Sequence, residues 1–201
     1  GRDPVKTKIL HDTTEYVLDQ ADALVCSGTL QSSPTFFEAT TAIAFELFRR
    51  SKIDTAVIEV GLGGRYDASN IIEPVLVSIV SISLDHQQQL GNSLTSIATE
   101  KAGIIKTGVP VVTGLLPSEA ATHVSNVAAK FNSTVIPAFQ DVSIESRCIE
   151  GRSFLKICTP QHQYAEIPLA LRGMHQEENA VVAVRIMETL NSLGIEVPYD
   201  A

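Results

Sequence analysis

AVIEVGLGGRYDASN, residues 56–70, is a short apolar run that ends on a carboxylate, Glu59, and passes into a glycine-rich turn. An apolar run with no polar alternation reads as a strand buried on both faces, so TAVIEV (55–60) is expected to be one. VLVSIVSIS (75–83), VPVVTG (109–114) and STVIPA (133–138) have the same character. Between them SLTSIATEKAGIIK (93–106) and SEAATHVSNVAAKF (118–131) carry helical patterns. Strands alternating with helices indicate a parallel sheet covered on both faces. The expected fold class is therefore α/β, a three-layer, mostly parallel sheet.

Working outward from that core, residues 8–26 read as a helix, with Ile9, Leu10, Val17, Leu18, Ala21, Leu24 and Val25 roughly on one side. SSPTFFEATTAIAFELFRR marks a second helix start, with Ser33 or Thr35 as cap and Glu38 in the first turn. Beyond residue 140 the pattern changes. Residues 141–171 alternate with period two and turn at Glu150-Gly151 and Pro160-Gln161, which is an antiparallel meander. MHQEENAVVAVRIMETLNSLG (174–194) is a closing helix ended by Gly194. The parallel core is thus assigned to 34–138, the meander to 141–171 and the closing helix to 174–194. Both ends are abrupt, which suggests a piece of a longer protein.

Of the 201 residues, 44% are apolar and 19% charged, an ordinary globular balance. The net charge of −8, with no basic block, argues against a large nucleic-acid footprint. No apolar run approaches membrane-spanning length, and the first ten residues resemble neither a signal nor a transit peptide. Three cysteines, none in a CxxC pair, suggest reduced, buried thiols in a cytosolic-type compartment. Cys148 and Cys158 are expected on neighbouring strands, where they could face each other.

Two residues stand where a parallel sheet places its ligands, outside the carboxyl ends of the strands: Glu59 near the end of the first run and His86 just past the second. Lys101, on the helix of ATEKAGIIK, would join them only if turned inward over the same pocket. A carboxylate and an imidazole can share a divalent cation, although together they form only a partial Mg²⁺ site. The structural alternatives are that Glu59 pairs with Arg65, that His86 is a hydrogen-bonded loop residue, and that Lys101 pairs with Glu100 or meets its helix dipole. The glycines fit neither GxxxxGK[ST] nor GxGxxG, since residue 66 is Tyr. They are expected to let the chain turn sharply and pass close to something, with Asp67 and Asn70 closing the turn.

FFEATTAIAFELF, IEVGLGGRYDASNIIEP, SISLDHQQQLGNSLTSIATEKAGIIKTGVPVV and LRGMHQEENAVVAV occur in this order. Together they resemble the central domain of the folylpolyglutamate synthase and dihydrofolate synthase family, within the Mur ligases. The match is dense over residues 34–116 and returns over 169–184. It implies an ATP-dependent ligase that joins L-glutamate to a folate or dihydropteroate carboxylate through an acyl phosphate.

The resemblance also implies site roles. Glu59 and His86 match the family's Mg²⁺ ligands, and Lys101 matches a lysine that the family carbamylates. A carbamate turns a repelling cation into an oxygen ligand. Gly173, His175, Gln176, Asn179 and Ala180 match a motif lying against the nucleotide, with Asn179 at the adenine. The family's phosphate loop would precede residue 1 and its C-terminal domain would follow Ala201, so this chain alone is expected to be inactive. Ser69 stands where the family usually has Thr, and Gln87–Gln89 vary the segment after the metal histidine. Another Mur-type amide ligase, or a non-catalytic remnant serving as a binding or scaffold domain, remain alternatives. The expected parent enzyme is a monomer, cytoplasmic or mitochondrial, with small-molecule substrates and neither nucleic-acid nor membrane partners.

Overall fold

The computed structural model describes residues 3–150, 152–170 and 173–198. Gly151 of the expected first meander turn, and Leu171 and Arg172 at the head of the last motif, lie outside the described residues. The chain divides into two compact units, one of Gly1–Leu62 with Asp67–Ile71 and one of Gly63–Tyr66 with Ile72–Ala201.

In the first unit, α1 (Thr7–Cys26) packs on α2 (Phe36–Ser51). Of the two expected caps, Thr35 is the one used. Its hydroxyl accepts from the Glu38 N–H at 3.3 Å, and the Glu38 carboxylate accepts from the Thr35 N–H at 2.7 Å, a capping box. Thr35 holds the Glu38 carboxyl below its ordinary range, chiefly through this backbone bond. In α1 the buried residues are Thr13 and Ala21, with Val17 and Val25 half-buried, a stripe at i+4 spacing. Arg50 donates to the Thr13 hydroxyl at 3.3 Å and its guanidinium lies 4.8 Å from the Tyr16 ring centroid. The other apolar residues of the expected α1 face, Ile9, Leu10, Leu18 and Leu24, are exposed.

TAVIEV is not a strand among the described residues, and Val57 is 98% exposed. Here the structure corrects the sequence reading. A strand exists only through hydrogen bonds to a neighbour, and residues 55–60 make no backbone hydrogen bond to another segment among the described residues.

The second unit carries the parallel sheet. Strands β1 (Val77–Ile79), β2 (Val111–Thr113) and β3 (Val135–Pro137) lie side by side in that order. Val77, Val111 and Val135 are in register, as are Ser78, Val112 and Ile136. These two rows point to opposite faces. The first row meets α4 (Leu94–Ala102) and α5 (Ser118–Lys130) in a cluster that includes Ile97, Ala98, Val124 and Ala128. The second meets β5 (Arg152–Cys158) and α6 (Met174–Ser192), where Leu155, Ile157 and Val181 are fully buried. The expected three layers are therefore present. The paired part of each strand is shorter than its apolar run, and a four-residue helix, α3 (Gln87–Leu90), follows β1.

The meander consists of β4 (Ser143–Ile149), β5 and β6 (Gln163–Pro168), all antiparallel. Its second turn is closed by Thr159, whose N–H donates to the His162 carbonyl and whose hydroxyl accepts from the N–H groups of Gln161 and His162. Cys148 pairs with Ser153 and Cys158 with Ser143, so the two cysteines do not face each other. Cys26 and Cys148 are exposed rather than buried. Gly194, at φ +84°, follows the last helix as expected. No described helix is long and apolar enough to cross a membrane.

Candidate functional site

Glu59 is exposed and the chain turns directly after it. The turn is gathered by Asp67, as expected. One oxygen of its carboxylate accepts from the N–H groups of Gly61 (3.0 Å) and Leu62 (3.1 Å). The other accepts from the Ser69 N–H (2.9 Å) and hydroxyl (2.5 Å). Burial pushes the Asp67 pKa up, but the Ser69 hydroxyl and then the three N–H groups outweigh it and leave the carboxyl lowered. Asn70 contributes its N–H, which donates to the Asp67 carbonyl at 2.9 Å.

Residues 63–66 belong to the second unit and lie on the C-terminal end of α4, the helix that carries Lys101. The Arg65 N–H donates to the Glu100 carbonyl at 2.9 Å. A Cβ on Gly64 would stand 2.7 Å from that carbonyl oxygen and 3.1 Å from the Lys101 carbonyl oxygen. A Cβ on Gly103 would stand 2.4 Å from Arg65 Cβ and 2.6 Å from Arg65 Cα. The partner that the glycine turn approaches is thus the backbone at the end of α4. The Glu100 carbonyl, which also accepts from the Gly103 N–H at 3.2 Å, is met here by the turn.

Lys101 is half-buried in the last turn of α4, and among the described residues it has no ion-pair partner; the expected Glu100 is not one. His86 sits at φ +51° before α3, its N–H donating to the Asp85 carboxylate at 2.8 Å and its exposed ring 3.9 Å from that carboxylate. Its carbonyl accepts from the N–H groups of Gln89 and Leu90 and starts α3. Glu59 belongs to the first unit, His86 and Lys101 to the second.

The residues expected at the nucleotide stand at the start of α6. Gly173 has φ +116°, and a Cβ there would fall 2.7 Å from the His175 ring. The Gln176 N–H donates to the Gly173 carbonyl at 2.9 Å. Asn179 is exposed, its amide 3.5 Å from the Gln176 side-chain oxygen. Ser146 of β4 donates to Glu177 at 2.6 Å and ties this end of α6 to the meander.

Two features went unread in the sequence. The first is a buried polar cluster on α6. Glu188, fully buried, accepts from Arg185 at 2.5 Å, from Tyr164 at 3.2 Å and from the Thr159 hydroxyl. Its sequence signal is weak, a charge pair three residues apart on the helix face that also carries Val181 and Val182. The second is an exposed trio on α1, His11, Asp12 and Glu15, the one group of three ligand-type side chains within ligating range among the described residues. A small cavity of about 210 Å³ opens at the carboxyl ends of β2 and β3 beside Thr113, Gly114 and Pro137, and a groove of about 380 Å³ lies between α1 and α2. None of the expected site residues lines either one.

The Mur ligase middle domain family model matches residues 9–187. The dihydrofolate synthase/folylpolyglutamate synthase of Bacillus subtilis (strain 168) is 37% identical over 171 residues, covering 83% of this chain and 39% of that protein. The folylpolyglutamate synthase of Lacticaseibacillus casei is 38% identical over 152 residues, covering 75% of this chain and 36% of that protein. Among solved structures, an FPGS–AMPPCP complex superposes with a TM-score of 0.93 at 30% identity, covering 98% of this chain and 49% of that one. A Mycobacterium tuberculosis folylpolyglutamate synthase complexed with ADP and AMPPCP gives 0.87 at 27% identity, covering 98% and 46%. The chain spans about two fifths of the length of these curated relatives and about half of these solved chains. The chain belongs to the Mur ligase middle-domain family, and the relatives it resembles there are folylpolyglutamate and dihydrofolate synthases.

Proposed function

We propose that this chain is the middle part of an ATP-dependent ligase that joins L-glutamate to a folate or dihydropteroate carboxylate. The observation that carries this reading is the seating of the glycine turn on the end of α4. Gly64 and Gly103 leave no room for a side chain, so the turn after Glu59 and the helix end bearing Lys101 are held by backbone contact. That is the use of glycine expected from the residues themselves, a sharp turn passing close to a neighbour. The solved FPGS complexes with AMPPCP, one of them with folate as well, support ATP and a folate as ligands.

The reaction has two balanced steps. A carboxylate oxygen of the acceptor attacks the γ-phosphorus of ATP, giving an acyl phosphate and ADP. The glutamate amine then attacks the acyl carbon, phosphate leaves and a proton is lost to solvent, giving an amide. Catalysis of this kind is positioning and charge neutralisation. Glu59, His86 and Lys101 are the residues assigned to magnesium. Their chemistry fits a hard cation provided that Lys101 is present as its carbamate, since an ammonium would repel it. The exposed carboxylate and imidazole, and a lysine with no ion pair among the described residues, suit that role. Bound magnesium neutralises phosphate charge. Asn179 is assigned to the adenine, because an amide both donates and accepts on a base edge, with His175 and Gln176 beside it.

The parent enzyme is read as a monomer acting on small-molecule substrates. The free thiols and the acidic net charge fit a reducing compartment, cytoplasmic or mitochondrial, without nucleic-acid partners. The test uses the full-length protein that carries this chain, with ATP, Mg²⁺ and labelled glutamate, offered dihydropteroate and tetrahydrofolate separately. Label transfer to either acceptor is expected, and the preferred one names the activity. Folded protein that binds ATP and transfers to neither overturns the folate assignment in favour of another acceptor.

A further inference from the structure

The helix that carries the nucleotide-side residues is held at its two ends by different chemistry. At its start the contact to the meander is the exposed bond between Ser146 and Glu177. Near its end the contact is buried. Glu188 receives the Arg185 guanidinium on one carboxylate oxygen, and the hydroxyls of Thr159 and Tyr164, which flank the β5–β6 turn, on the other. Between them the helix meets the sheet through Val181 and Val182, which are apolar.

Apolar packing is not directional. A smooth valine face lets a helix turn or slide by a fraction of a residue at little cost, whereas hydrogen bonds to a buried carboxylate do not. A buried ion pair is also a weak source of stability, since apolar residues of the same volume often do as well or better. In addition, Arg185 Nε is buried and has no hydrogen-bond partner among the described residues. The cluster is therefore better explained by the register it imposes than by the stability it adds.

Asn179 lies nine residues before Glu188 on the same helix. At 3.6 residues per turn and 1.5 Å per residue this is about 13.5 Å along the axis and about 180° around it. Glu188 thus faces the core while Asn179 faces away from it, consistent with their burial and exposure. Any rotation that Glu188 permits swings the Asn179 amide through the same angle on the opposite surface.

We propose that Glu188 is a positioning residue, whose bonds to Thr159 and Tyr164 fix the rotation of α6 and so the placement of Asn179 on a bound nucleotide, while Arg185, on the same helix, orients the carboxylate. This rests on the assignment of Asn179 to adenine. The cluster acts through the helix and touches no ligand itself.

The test compares variants in the full-length protein, reading the affinity for the non-hydrolysable ATP analogue AMPPCP by calorimetry and the KM for the pteroyl acceptor separately. Arg185→Met/Glu188→Leu replaces the pair by apolar residues of similar volume. It is expected to fold and to bind AMPPCP about tenfold more weakly, while the acceptor KM stays put, because a small misplacement of a contact is costly. Arg185→Met/Glu188→Gln keeps an oxygen for Thr159 and Tyr164 without leaving a lone buried charge. It is expected to recover the affinity to within about twofold. Should the first variant not fold, Tyr164→Phe removes one hydroxyl from the cluster and is expected to weaken AMPPCP about twofold to threefold with the acceptor KM unchanged. A folded apolar variant with unchanged AMPPCP affinity, or a loss spread equally over nucleotide and acceptor, overturns the positioning role alone. An unaltered protein that binds no AMPPCP overturns the nucleotide assignment, and the proposal with it.

Discussion

Gly64 and Gly103 show how little a residue name says until its neighbours are known. Both have backbone atoms within 2.7 Å of where a Cβ would stand, while Gly28 and Gly108, each at φ +74°, have nothing within 4 Å. Gly64→Ala and Gly103→Ala are therefore expected to cost about 2–3 kcal/mol, since backbone cannot yield as a side chain can. Gly28→Ala and Gly108→Ala are expected to cost only about 1 kcal/mol, from the positive φ alone. Urea titration of the four variants tests this, and equal losses would remove the case for close approach. Asp67 was legible beforehand, because Asp after a glycine turn bonds its own backbone. Asp67→Ala is expected to cost about 1 kcal/mol and to speed amide exchange at Gly61 and Leu62, which lose their acceptor. Lys101 was legible as a residue to watch but not in its surroundings, which depend on a turn some 36 positions away.

At the scale of elements, α2 illustrates a start written locally. Thr35 and Glu38 are three residues apart, and their reciprocal bonds need no other part of the chain. Thr35→Ala is expected to cost about 1 kcal/mol, read by thermal unfolding followed by circular dichroism. The same helix carries an acid sensitivity. Hydrogen bonds from Arg49 and then Arg50 hold the Glu46 carboxyl down to about 2, from an ordinary 4.5, and Glu38 is lowered as well. A carboxyl depressed by folding contributes stability above its unfolded pKa and loses it as pH falls through the folded one. Helix α2 is thus expected to weaken between about pH 4.5 and about pH 2, and Glu46→Gln to flatten that part of the profile. A wild-type curve already flat there contradicts the assignment. The α1 face was only partly legible. Its period was right for Val17, Ala21 and Val25, but Thr13 is the fully buried residue, chosen because Arg50 satisfies its hydroxyl.

On the scale of the whole molecule the two units differ in what they bury. Among its described residues the first has only Ala21 and Leu47 as buried apolar side chains, each still 8% exposed, whereas the second has a cluster on each face of its sheet. Amides that open with few buried contacts behind them exchange faster. Native-state hydrogen exchange is therefore expected to protect β2 and α6 well beyond α1 and α2, and equal protection would contradict it. The sequence by itself determined the order of the main helices and strands in the second unit, the start of α2, the Asp67 turn and the family, because each rests on residues close together in the chain or on motif order. The tertiary structure alone decided the rest. Residues 55–60 have strand composition but no hydrogen-bonding neighbour among the described residues, Cys148 and Cys158 take their registers from the whole hairpin, and Gly64 is required by a carbonyl at Glu100. Glu188 reads as a surface charge until the β5–β6 turn closes over it. In each case the deciding contact joins residues distant in sequence, and no local pattern encodes which distant atom will stand opposite.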